Sequence, residues 1–213
     1  IFMNFAGIQT YSPKMERIPN IVIFASGSGS NAENIINWSK DRDTYRVKGV
    51  FCNRKDAYVL TRAERLGVPA WTFSRKEFKD NTIIYNGEAA SLTAVLADLD
   101  TDCIVLAGFL LKVPDYLLEA YPERILNIHP ALLPSYGGKG MYGDHVHKAV
   151  IAAGEKESGI TIHLADSQYD HGRILYQARC SVSPEDTPET LFKKVHLLER
   201  AYPEVIDKYV NSF

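Results

Sequence analysis

The run Ile21-Val22-Ile23-Phe24-Ala25-Ser26-Gly27-Ser28-Gly29-Ser30-Asn31-Ala32-Glu33 carries the strongest structural signal in the chain. Five apolar residues in a row, with no polar alternation, predict a strand covered on both faces, as in a parallel sheet. Gly27 and Gly29 permit positive φ and a close backbone approach to a ligand. Ser30 and Glu33 have the S-x-x-E spacing of a capping box, which predicts a helix over 30–38. Unpaired N–H groups and the positive end of the helix dipole would face this turn and favour an anion, with phosphate the natural candidate. A Gly/Ser turn that holds nothing is the plainer reading. Its position directly after a leading parallel strand favours the cradle.

The same residues satisfy G-x-G-x-x-A, so dinucleotide binding competes. That fingerprint expects an acidic residue at the end of the second strand, whereas this strand ends Cys52-Asn53-Arg54-Lys55. Arg54 suits a phosphorylated ribose, which leaves NADP weakened and open. No G-x-x-x-x-G-K-S/T occurs, which excludes a P-loop nucleotidase.

Beyond this turn, short apolar runs alternate with amphipathic stretches. They predict an α/β fold, Rossmann-like, with a mostly parallel sheet flanked by helices. Strands are expected at 47–52, 103–107 and 125–128, and helices at 57–66, stopped by Gly67, and from Pro114. Residues 73–98 read as mainly helical with a break near Asn86-Gly87. A Gly-rich loop at 136–143 precedes a helix at 145–153 that Gly154 stops. Two β-branched runs, 160–164 and 174–182, predict a C-terminal antiparallel strand pair. A last helix starts at Thr187-Pro188 and must kink or end at Pro203.

The 213 residues carry 24 basic and 26 acidic side chains, a net charge of -2 that gives no whole-chain argument for nucleic acid or an anionic membrane. No apolar run approaches the ~20 residues that span a bilayer. Cys52, Cys103 and Cys180 are too few and scattered for a disulfide framework or a zinc site. They fit a reducing, cytoplasmic compartment. Residues 1–14 lack a signal-peptide pattern and read as a leader or disordered extension, with 15–213 as a single domain.

Asn127 and His129 flank Ile128 at the end of a predicted strand, so both polar side chains share one face. Carboxyl ends of parallel strands are where α/β sheets build sites. An amide beside an imidazole can polarise a carbonyl and stabilise an oxyanion. For an isolated histidine, satisfying loop backbone is the commoner outcome. Asp170 lies in a polar turn between the two late strands; beside His129 it would favour the imidazolium and raise its pKa.

Three segments together resemble the phosphoribosylglycinamide formyltransferase family, within the wider 10-formyltetrahydrofolate hydrolase and transferase group. They are Ser26-Gly27-Ser28-Gly29-Ser30-Asn31, Leu106-Ala107-Gly108-Phe109 and Asn127-Ile128-His129-Pro130-Ala131-Leu132-Leu133-Pro134. The resemblance implies a folate-dependent enzyme of purine synthesis, with 10-formyltetrahydrofolate as co-substrate and no metal. It implies that Gly29, Ser30 and Asn31 hold the substrate 5′-phosphate and that Glu199 contacts the ribonucleotide. Leu110, Leu111, Lys112, Val113 and Asn127 would border the folate, and Asn127, His129 and Asp170 would be the catalytic set. The implied partners are small molecules only, with no nucleic acid or membrane, in a monomer or homodimer. The family's arginine at the folate tail has no clear counterpart.

Under this resemblance the amine attacks the formyl carbon directly. Asn127 and a protonated His129 stabilise the oxyanion, and Asp170 assists proton transfer. A formyltetrahydrofolate deformylase-like hydrolase and a non-catalytic nucleotide-binding module are the alternatives. The first usually carries an N-terminal regulatory domain. A methionyl-tRNA formyltransferase would need a further C-terminal domain after Phe213. Cys103 reads as core, Cys180 has no paired base, and His145, His147 and His163 read as surface or loop histidines.

Overall fold

The computed structural model describes residues 17–213, so the leader expected at 1–14 lies outside the described residues. Along the chain come β1 (Asn20–Ala25), α1 (Ser30–Lys40), β2 (Arg46–Cys52), α2 (Tyr58–Arg65), β3 (Ala70–Thr72), α3 (Arg75–Lys79), β4 (Thr82–Tyr85), β5 (Glu88–Ser91), α4 (Leu92–Asp98) and β6 (Cys103–Leu106). Then follow α5 (Asp115–Ala120), β7 (Ile125–His129), α6 (Asp144–Ala152), β8 (Glu157–Leu164), β9 (Ile174–Ser181), α7 (Pro188–Leu198), a 3-10 turn (Glu199–Ala201) and α8 (Tyr202–Val210). No helix among the described residues is long and apolar enough to cross a membrane.

β1 is buried along its whole length, as its unbroken apolar run requires. It sits inside a seven-stranded sheet of order β3-β2-β1-β6-β7-β8-β9. Pairing is parallel from β3 to β7 and antiparallel for β8 and β9, the C-terminal pair expected from the β-branched runs. Strand order reverses between β1 and β6. The crevice over the carboxyl ends at such a reversal is where open α/β sheets bind ligands.

Alternate residues of β1 face two cores. Ile21, Ile23 and Ala25 pack under α1 and α8, while Val22 and Phe24 face the other layer. Phe24 lies 5.2, 5.9 and 6.0 Å from the rings of Phe51, Phe73 and Phe78. Each fully buried side chain of this size contributes roughly 1.5–3 kcal/mol of transfer free energy, so the aromatic layer anchors that face of the sheet.

Three local expectations fail for identifiable reasons. Residues 82–91 form a hairpin, not helix: Asn86 and Gly87 have φ of 52 and 88°, the pair of left-handed residues that a two-residue hairpin turn demands. The β-branched Thr82-Ile83-Ile84 favours that outcome. The Ser30–Glu33 capping box does not form either. Gly29, with φ of 80°, is the N-cap without a side-chain cap, and Glu33 pairs with Arg62 and Arg65 of α2. Finally, the terminal helix breaks before Pro203, not at it. α7 ends at Leu198, and Pro203 sits in the first turn of α8, where its missing N–H has no partner to lose.

Candidate active site

β7 ends with Asn127 and His129 on one face, while Ile128 packs into the core on the other. β8 runs antiparallel to β7 and sets His163 directly opposite Asn127. The loop between β8 and β9 returns Asp170, in left-handed backbone at φ of 59°, to the same point. Asp170 Oδ2 lies 3.5 Å from His129 Nδ1 and accepts from the Gly138 N–H at 2.9 Å. Its Oδ1 lies 3.5 Å from His163 Nε2 and 3.4 Å from Asn127 Nδ2. Residues distant in sequence therefore meet in one buried polar cluster.

The hydrogen bonds fix proton positions. His163 Nδ1 is 2.8 Å from the Leu164 carbonyl, which can only accept, so Nδ1 carries the proton. Its Nε2 faces the Asn127 amide nitrogen Nδ2 at 3.0 Å. The other amide N–H of Asn127 faces Asp170, which leaves the amide oxygen as its one uncommitted polar atom. His129 Nε2 donates to the Tyr136 carbonyl at 2.7 Å, a bond from the Gly-rich loop to the strand end.

Electrostatics modify one expectation. Burial is the largest influence on His129 and lowers its pKa, outweighing the opposing pull of Asp170 and of the Tyr136 carbonyl. For Asp170 itself burial pushes upward, but the adjoining His163 and His129 rings and the Gly138 N–H prevail, and its carboxyl stays below the usual range. His147, 1% exposed, is also lowered by burial, and its Nδ1 has no partner among the described residues.

The cluster opens into a cavity of about 430 Å³. Leu110, Leu111, Lys112 and Val113 line it, as do Asn127, His129, His163 and Asp170. At another part of the wall stand Asn31 and Glu199; Asn31 Nδ2 donates to Glu199 Oε2 at 3.0 Å, and the same oxygen is 2.7 Å from His196 Nδ1. Gly29 and Ser30 lie at the adjoining helix start and are not among the lining residues. Behind the wall, Ser26 Oγ accepts from the Leu110 N–H at 2.9 Å and donates to Asn53, tying the glycine turn to the 110–113 segment. No group of three or more His, Cys, Asp or Glu side chains among the described residues is placed to hold a metal ion.

Sequence reasoning missed His163, His147 and Arg75, all of which line this cavity. His147 and His163 are buried, not surface or loop residues. A signal for His163 existed: Thr161 and His163 alternate with Ile160, Ile162 and Leu164, placing two polar groups on one strand face.

The profile of the formyl transferase family matches residues 19–206. Phosphoribosylglycinamide formyltransferase of Bacillus subtilis (strain 168) is 35% identical over 194 residues, covering 89% of this chain and 93% of that protein. The chloroplastic phosphoribosylglycinamide formyltransferase of Arabidopsis thaliana is 40% identical over 192 residues, 89% of this chain. The chain spans 65% of that protein's length and 61% of the Vigna unguiculata counterpart's. Among solved structures, the phosphoribosylglycinamide formyltransferase from Streptococcus pneumoniae TIGR4 superposes with a TM-score of 0.75 at 35% identity, covering 90% of this chain and 99% of that one. With most of its length matched in sequence and fold, and the Asn-His pair on the strand end that faces the crevice, the chain belongs to the formyl transferase family.

Proposed function

We propose that this protein transfers the formyl group of 10-formyltetrahydrofolate to the amine of 5′-phosphoribosylglycinamide, with residues 15–213 acting as one catalytic domain in the cytoplasm, as a monomer or homodimer. The observation that carries this reading is the convergence of Asn127, His129 and Asp170 on a cavity also walled by Leu110–Val113 and by Asn31 and Glu199. A two-substrate reaction needs such a layout: a reacting centre between two separate binding walls.

In this reading the folate lies along residues 110–113, and Asn31 and Glu199 meet the ribonucleotide, whose phosphate sits on the turn formed by Gly29 and Ser30. The amine attacks the formyl carbon and an oxyanion forms. Burial lowers the pKa of His129 while Asp170 opposes that shift; negative charge developing beside the ring favours the imidazolium, so its basicity rises as it is needed. Asn127 donates to the oxyanion after its amide gives up one internal partner. Asp170 helps carry the amine proton toward the departing folate nitrogen.

Purified protein supplied with both substrates should yield tetrahydrofolate and formylated ribonucleotide together. Folate release without ribonucleotide would indicate the hydrolase; binding of both without turnover would indicate the non-catalytic module.

A further inference from the structure

The glycine turn is steered from α2. Val59 N–H donates to the Gly27 carbonyl at 3.2 Å, and Arg62 Nε donates to the Ser28 carbonyl at 2.9 Å. In a trans peptide the C=O and the next residue's N–H point to opposite sides. Drawing two successive carbonyls toward α2 therefore turns the N–H groups of Ser28 and Gly29 away from it. Neither N–H has a partner among the described residues. Two adjacent unpaired N–H groups beside a left-handed Gly29 form an anion-binding nest.

Arg62 is itself held. Its guanidinium pairs with Glu33 on α1 and lies 5.0 Å over the Tyr58 ring, and its side chain is only 22% exposed. It does not line the cavity. Glu33, one turn inside the helix that faces the nest, would repel an anion if left bare; Arg62 and Arg65 neutralise it. Both effects favour the same ligand, and neither requires Arg62 to touch it.

We propose that Arg62 is a positioning residue for phosphate recognition: it acts through the Ser28 carbonyl and Glu33 to aim the nest at the substrate's phosphate monoester. The inference deepens the ribonucleotide reading and rests on it for the identity of the substrate, but not for the anion chemistry.

The test compares wild type, Arg62→Leu and Arg62→Lys. KM for the ribonucleotide should rise roughly tenfold or more in Arg62→Leu, as loss of a hydrogen bond from a charged donor predicts. Its kcat and its KM for formyl folate should stay near wild type, which also shows the variant folded. Arg62→Lys, which keeps a donor and the charge, should recover part of the loss. The Arg62→Leu defect should persist at high ionic strength, because a misaimed nest is not repaired by screening; a defect that vanishes in salt indicates long-range charge and overturns the proposal. Ribose 5-phosphate binding, measured by calorimetry on the same three proteins, reads the nest without the formyl chemistry. Weaker binding in Arg62→Leu alongside a wild type lacking formyl transfer sinks the functional reading and keeps this inference. Equal binding by wild type and Arg62→Leu, or no binding by wild type, sinks the inference.

Discussion

The imidazole of His163 faces the amide nitrogen of Asn127 at 3.0 Å across the β7–β8 pair, with its own Nδ1 proton spent on the Leu164 carbonyl. His163 thereby holds the Asn127 amide in one orientation. Buried at 1% exposure, it has no solvent to substitute for it. Stranding the amide N–H should cost about 1–3 kcal/mol, which appears as a roughly 5–150-fold fall in kcat if the alignment matters for the transition state. His163→Leu should show that fall with little change in ribonucleotide KM. His163→Gln offers an acceptor oxygen and should recover most of it. Wild-type kcat in the leucine variant would remove His163 from the account.

His129→Ala should reduce kcat by about 10²–10³-fold, the usual effect of deleting one oxyanion partner. Equilibrium binding of the ribonucleotide should be nearly unaffected, because its proposed contacts lie at the Gly29-Ser30 turn and at Asn31 and Glu199, on another part of the wall. A collapse of binding would contradict a role confined to charge stabilisation.

Stability should fall on mild acidification. Burial depresses the pKa of His129 and His147 below the ordinary 6.5. Below pH 6.5 the unfolded chain therefore binds protons that the folded chain refuses, and stability is lost as pH falls toward the folded values. Each unit of depression corresponds to about 1.4 kcal/mol. Asp170, held below 3.8, adds a second loss only at stronger acidity. Urea unfolding between pH 7 and 5 should show the first loss, and His147→Phe should flatten the slope. An unchanged slope would mean that His147 titrates normally.

The fold's centre was readable because the signals were contiguous. β1, its glycine turn and the Asn127-Ile128-His129 alternation each lie within a few residues, and strand periodicity alone orients them. Asp170 reaches His129 only because β8 reverses against β7, a pairing no local pattern encodes. The same reversal puts His163 opposite Asn127. The capping box failed through competition at a distance: Ser30 and Glu33 have the right spacing, but Arg62 and Arg65 approach from α2 and take the carboxylate. Asn86-Gly87 was a hairpin signal that a helical reading of its surroundings overrode.

Ser30→Asp should separate folding from binding, because one new charge acts on both with opposite sign. Ser30 opens α1. A carboxylate there complements the helix dipole, which is worth about 0.3–1 kcal/mol of added stability. The same carboxylate occupies the field that the proposed phosphate needs, so ribonucleotide KM should rise steeply while kcat at saturation changes little. Thermal melts and steady-state kinetics on one preparation measure the two effects together. A variant that melts no earlier than wild type yet binds poorly supports an anion site at this turn. Unchanged KM with raised stability would mean that the turn caps a helix and holds no phosphate.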